Sequence, residues 1–151
     1  MHVIIAAVGR LRAGPLADLA ADYRKRITAT VDIREVEERR KLPPAELMDR
    51  EGVLLLGQLR ETATVVALDP AGQDLDSEQF ASRIETWASH TGRVAFVIGG
   101  ANGLDKKVLT HAQHRMSLGA MTWPHMLARV MLLEQIYRAQ QIRAGHPYHR
   151  R

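Results

Sequence analysis

Hydrophobic positions along the chain switch repeatedly between the rhythm of a strand and that of a helix. His2–Gly9 (HVIIAAVG) is a continuous apolar run, the form of a strand buried on both faces. Pro15 then opens a predicted helix whose apolar positions Leu16, Leu19, Tyr23 and Ile27 fall on one face. Thr30–Val36 (TVDIREV) alternates and predicts a second strand. Glu37–Pro44 (EERRKLPP) is charged and ends in two prolines, which predicts a mobile loop before a helix from Ala45 to Leu59.

Thr64–Asp69 (TVVALD) predicts a third buried strand, stopped by the turn PAGQ. Asp76 and Gln79 have the spacing of a capping box, opening a helix that buries Phe80, Ile84 and Trp87. Val94–Gly100 (VAFVIGG) predicts a fourth strand running into glycines, and a short helix is expected near Asp105–Ala112. Met116–Trp123 (MSLGAMTW) reads as a fifth strand and a loop. Pro124 opens the last helix, to Arg143, where Leu127, Val130, Met131, Leu133 and Ile136 form an apolar stripe wide enough to suggest core or subunit interface. Strands alternating with helices predict the α/β class, a mainly parallel sheet with flanking helices, in one domain spanning 1–151.

Composition narrows the classes. At 151 residues the chain is long enough to bury a core, and 46% hydrophobic with 25% charged residues is ordinary for a globular protein. No cysteine is present, which removes disulfides, a thiolate nucleophile and a zinc ribbon. No apolar run reaches membrane-spanning length and no basic leader precedes a long apolar stretch, so a cytoplasmic protein with no membrane partner is expected. Of the 21 Lys and Arg, five lie in 129–151 against one of the 17 Asp and Glu. The rest cancel, and the whole net charge of +4 sits at the C-terminal end. Such asymmetry marks a polyanion partner or a solvated basic helix.

Ligands of open α/β sheets sit beyond the carboxyl ends of the strands. Three such ends are suggestive: LDPAG, IGGANGL and SLGAMTWP. Gly9 and Gly14 do not make the dinucleotide fingerprint, and no phosphate loop or GxSxG elbow occurs. The pairs His111/His114 and His146/His149 lack a third ligand, so no metal is expected. Arg129, Arg138 and Arg143 with Tyr137, Tyr148, His146 and His149 combine cations with stackable rings, a mixture suited to RNA.

FVIGGANGL, SLGAMTWPHMLARVMLLEQIYRA and the final HPYHR together resemble the RlmH family of SPOUT-class methyltransferases. The resemblance runs the length of the chain and is densest from Val94 to Arg150. It implies a SPOUT-type fold with a C-terminal trefoil knot, a homodimer, and S-adenosylmethionine as methyl donor without a metal. It further implies methylation of N3 of a pseudouridine, position 1915 in helix 69 of 23S rRNA, on the assembled 70S ribosome.

Carried onto this sequence, the resemblance implies a cofactor pocket of Leu68, Gly99, Gly100, Leu118, Gly119, Ala120, Met121, Thr122 and Trp123, working through main-chain groups. Arg138, His149 and Arg150 would stabilise the anion formed at N3, and Tyr148 would stack on the base or hydrogen-bond to it. A neutral His125 or His149 would take the proton, unless water or phosphate does. His125, Arg129, Arg143 and His146 would contact RNA. Two other classes stay open on the residues alone. One is a nucleotide-dependent oxidoreductase or hydrolase; the other is a ribosome-binding or RNA-binding factor without catalysis.

Overall fold

A computed structural model describes residues 1–59 and 62–149. The elements run β1 (His2–Val8), α1 (Pro15–Arg26), β2 (Thr30–Val36), α2 (Pro44–Gly57), β3 (Thr64–Asp74), α3 (Ser77–Ala88), β4 (Arg93–Ile98), α4 (Lys106–His111), β5 (His114–Ser117) and α5 (His125–Arg143). The strands form one sheet in the order β2-β1-β4-β3-β5, and every pairing is parallel. Helices cover both faces, as a parallel sheet requires.

The continuous apolar runs land where both faces are covered. Val3–Val8 and Val94–Ile98 are buried at every position. Val3, Ile5 and Ala7 pack with Phe80, Trp87, Leu133 and Ile136 beneath α1, α3 and α5. Ile4, Ala6 and Val8 turn the other way, onto Leu55 and Val108 of α2 and α4. β2, at an edge, keeps the half-buried alternation its sequence showed.

Five expectations need correction. Asp69 does not end β3: the chain loops out over Asp69–Gly72 and pairs again with β5, so that Met116 faces Leu68 and then Gln73. Gly72 makes this possible, because a Cβ there would lie 2.7 Å from the Met116 backbone. β5 is only His114–Ser117, leaving the rest of MSLGAMTW as loop. Leu19 is exposed and Ala20 takes its place, completing with Leu16, Tyr23 and Ile27 the face that packs on the core. The Glu37–Pro44 loop is tied down by ion pairs: Glu38 accepts from Arg40 at 3.0 Å and Arg50 at 3.2 Å. Those bonds hold the Glu38 carboxyl down to about 2.

The fifth concerns α5. Val130, Leu133 and Ile136 are buried in this chain's own core, and no residue from His125 to Ile142 is exposed. The stripe is wide because α1 and α3 pack on α5 as well as the sheet, so its width is no argument for a subunit interface. Elsewhere the sequence reading holds closely. The capping box forms in full, with Asp76 accepting from the Gln79 N–H at 2.7 Å and Gln79 accepting from the Asp76 N–H at 2.9 Å.

Candidate active site

The three suggestive strand ends converge. The Asp69–Gly72 excursion within β3, the loops after β4 and β5 and the start of α5 enclose a cavity of about 600 Å³, within the range of small-molecule sites. Its lining includes Leu68, Gly99, Gly100, Leu118, Gly119, Met121, Thr122 and Trp123, as expected of the pocket residues. Ala120 does not line it and faces solvent. The lining also takes in Asp69 and Pro70 of LDPAG, Ile98, Ala101 and Gly103 of IGGANGL, and Pro124 of SLGAMTWP, residues of the suggestive strand ends that were not assigned to the pocket, and Ala128 of α5.

The glycines are there for close packing. A Cβ on Gly99 would lie 2.7 Å from the Gly103 carbonyl, because the β4–α4 loop folds back on itself through a Gly100–Gly103 bridge. A Cβ on Gly100 would lie 2.5 Å from the Glu51 carboxylate, a buried acid of α2 that no motif singles out. Burial pushes that carboxyl above its ordinary range. On the opposite wall, Trp123 Nε1 donates to the Leu118 carbonyl at 3.2 Å, which fixes the Leu118–Trp123 loop. Yet Met121 stays 75% exposed and Trp123 39%, so the mouth presents bare apolar surface.

His125, expected at the RNA, lines the cavity as the first residue of α5. Burial, with the charge of Arg129 adding to it, pushes its imidazole below the ordinary histidine range. It is therefore neutral at physiological pH and able to accept a proton.

Arg129 is a correction. It is 1% exposed and cannot meet an RNA phosphate. Its guanidinium is ion-paired with Glu35 of β2 and donates to the Gly9 carbonyl at 2.9 Å and the Val8 carbonyl at 3.3 Å. Glu35 also accepts from the Leu11 N–H at 2.9 Å. One buried cation thus clamps the start of α5 to the end of β1 and to the loop beyond. Arg143 remains half exposed, beside Glu85 of α3.

The tail does not wall this cavity within its own chain. α5 ends in a Schellman turn: the His146 N–H bonds the Gln141 carbonyl at 3.0 Å and the Gly145 N–H bonds Ile142 at 3.1 Å, with Gly145 at φ 64°. The chain is thrown back along α5. The Tyr148 ring packs edge-on to Tyr137 at 4.8 Å, and the Arg138 guanidinium lies 4.9 Å over it. Glu134 accepts from Arg138 Nε at 2.9 Å and from the Tyr148 hydroxyl at 3.2 Å. Burial first, then the neighbouring hydroxyl and carboxylate, push the Tyr148 phenol well above its ordinary range. His149 sits with Nε2 3.6 Å from Glu78 of α3 and Nδ1 buried without a hydrogen-bond partner among the described residues, while His146 is exposed and accepts from the Tyr148 N–H at 3.2 Å. None of these described residues lines the cavity. Arg150 lies outside the described residues. Among those described, no group of three His, Asp or Glu side chains is placed to hold a metal.

A family model described as "Predicted SPOUT methyltransferase" matches residues 1–149. The chain belongs to the SPOUT methyltransferase family. It is accordingly a methyl-transferring enzyme. Among curated relatives, the Ribosomal RNA large subunit methyltransferase H of Rhodospirillum centenum is 51% identical, over 99% of each chain. The protein of the same name from Paramagnetospirillum magneticum is 48% identical, again over 99% of each. These relatives bear out the resemblance read from the motifs. Solved SPOUT-like folds agree with the architecture. A probable methylase family protein from Haemophilus influenzae Rd KW20 superposes with a TM-score of 0.59 at 10% identity, over 99% of this chain and 70% of that one. TrmJ from Z. mobilis ZM4 gives 0.58 at 17% identity, over 93% and 70%.

Proposed function

We propose that this SPOUT enzyme methylates N3 of a pseudouridine in helix 69 of large-subunit rRNA, on the assembled ribosome in the cytoplasm. The observation that carries the reading is the cavity at the carboxyl ends of β3, β4 and β5, glycine-floored and flanked by a neutral histidine. The names of the relatives point to a large-subunit rRNA substrate. When bound there, S-adenosylmethionine supplies a methyl group on a sulfonium whose sulfur leaves readily.

The chain's own residues then have separate tasks. Leu68, Leu118 and Trp123 give apolar walls, and the Gly99–Gly100 backbone, packed against Gly103 and Glu51, gives the floor on which the donor rests. Fixing donor and acceptor in line is most of the catalysis such a transfer needs. Neutral His125 takes the N3 proton. A cation facing the acceptor stabilises the developing anion. Within one chain Arg138, Tyr148 and His149 are turned away from the cavity, and the bare mouth at Met121 and Trp123 wants a cover. We therefore assign both roles to the tail of a second copy, making the enzyme a homodimer with a composite site. On the same reading the chain carries the family's trefoil knot.

The test is methyl transfer to 70S ribosomes, with the rRNA product mapped by mass spectrometry. Methylation elsewhere in the rRNA, or none, contradicts the proposal. Mixing an inactive Gly100→Val protein with an inactive protein lacking 146–151 should restore part of the activity. No restoration would rule out the shared site.

A further inference from the structure

We propose that the loops after β1 and β2 form a docking surface for RNA phosphates beside the pocket. The inference rests on the RNA-methylating reading above and adds to it the place where the backbone is gripped. β1 and β2 run parallel with Val8 level with Val36, and the Gly9 N–H bonds the Val36 carbonyl at 2.8 Å. Their loops therefore leave the sheet side by side, at the same end as the cavity. Two contacts hold them in place: Arg10 pairs with Glu37 at 3.6 Å, and Leu11 is bonded to the Glu35 that Arg129 clamps.

These loops carry Arg10, Arg12, Arg39, Arg40 and Lys41 against Glu37 and Glu38. Glu37 is taken by Arg10, and Glu38 by Arg40 and Arg50. Arg12, Arg39 and Lys41 are left exposed and make no ion pair among the described residues. On other surfaces Arg26 is neutralised by Asp22, Lys107 by Asp49 and Arg143 by Glu85, while the exposed cations without an ion pair among the described residues, Arg24, Lys25, Arg83, Arg93 and Lys106, lie on α1, α3, β4 and α4. Unpaired positive charge on a rigid base is what a polyanion requires, and a merely solvated face has no need of the clamp beneath it.

The surface adjoins the chemistry. A Cβ on Gly9 would lie 3.1 Å from His125 Nε2, so the β1 loop starts at the cavity wall. Neighbouring strands are about 4.8 Å apart, which puts the ends of β1 and β2 roughly 5–10 Å from β4 and roughly 10–14 Å from β3. Phosphates gripped here would fix the position of the RNA while the cavity acts on one base.

The test uses the full chain with Arg12→Gln, Arg39→Gln and Lys41→Gln combined, and Arg83→Gln on the exposed side of α3 as control. Binding to purified 70S ribosomes is measured by co-sedimentation over a salt series, and S-adenosylmethionine binding by calorimetry. Each lost phosphate contact removes about 0.7–0.9 from the slope of log K against log salt. The triple variant should therefore bind with a slope shallower by about 2–3, with unchanged donor affinity, and the control should keep the wild-type slope. A slope equal to wild type overturns the proposal, as does weaker binding at unchanged slope, which would indicate an acidic protein contact. Wild type that fails to bind ribosomes overturns it too. Wild type that binds with the steep slope but transfers no methyl would sink the methylation reading and leave this surface standing.

Discussion

The mouth of the cavity and the C-terminal tail were expected to form one site, and they are built on opposite principles. At the mouth, Met121 and Trp123 show apolar surface to solvent around a 600 Å³ space. In the tail the Tyr148 side chain is satisfied from within, sharing Glu134 with Arg138 of α5 and with its ring covered by Tyr137 and Arg138, and among the described residues only His149 Nδ1 is buried without a partner there. Chemical variety in a short segment does not by itself mark a site. What distinguishes a surface made to receive something is the interaction it leaves unmade. The described part of the tail is docked on α5 and α3 of its own chain, away from the cavity.

Substitutions can break that comparison from either side. The largest effect should come from the cavity floor. Gly100→Val drives a side chain into Glu51 and should weaken S-adenosylmethionine binding about a hundredfold, roughly 3 kcal/mol, by calorimetry. Unchanged affinity would remove the donor from this cavity. Next is the clamp between them. Glu35→Gln leaves Arg129 buried beside a neutral partner and should cost roughly 2 kcal/mol in denaturant unfolding. That is below the range for a fully buried pair, because the Glu35 side chain is 31% exposed. A neutral result would mean the backbone carbonyls alone satisfy Arg129.

Smaller effects test the tail and the base. Tyr148→Ala should lower stability by about 1–1.5 kcal/mol through its lost ring and cation contacts, while Tyr148→Phe should lose less. Neither should alter donor binding; a tenfold change in donor affinity would place the ring at the cavity. His125 should titrate below 6.5 in a nuclear magnetic resonance pH series. Because folding lowers that value, the unfolded chain binds the proton first as pH falls. Its stabilising contribution is present above about 6.5 and is lost as pH drops toward the folded value. A midpoint above 6.5 would contradict the burial described here.

Much of this was readable before the fold was known, for reasons that differ by region. The strands and helices followed from local rhythm, and the capping box from two residues three apart. The cavity followed from a general property of parallel sheets applied to three loop compositions. Arg129 was misread because its charge was taken to mean exposure although Leu127, Ala128, Val130 and Met131 surround it in sequence; its partner Glu35 is 94 residues away. The basic loops were missed because summed charge hides which acids are already engaged. PAGQ reads locally as the end of a strand, and only pairing with β5 on both sides of the excursion shows that β3 continues.

The most direct test of the division between cavity and tail is calorimetric titration of S-adenosylmethionine into the protein lacking 146–151, alongside methyl transfer to 70S ribosomes. Donor affinity within about twofold of wild type, with methylation abolished, is the predicted result. Loss of donor binding on truncation would contradict it, by making the tail, its own or a second copy's, part of the donor pocket.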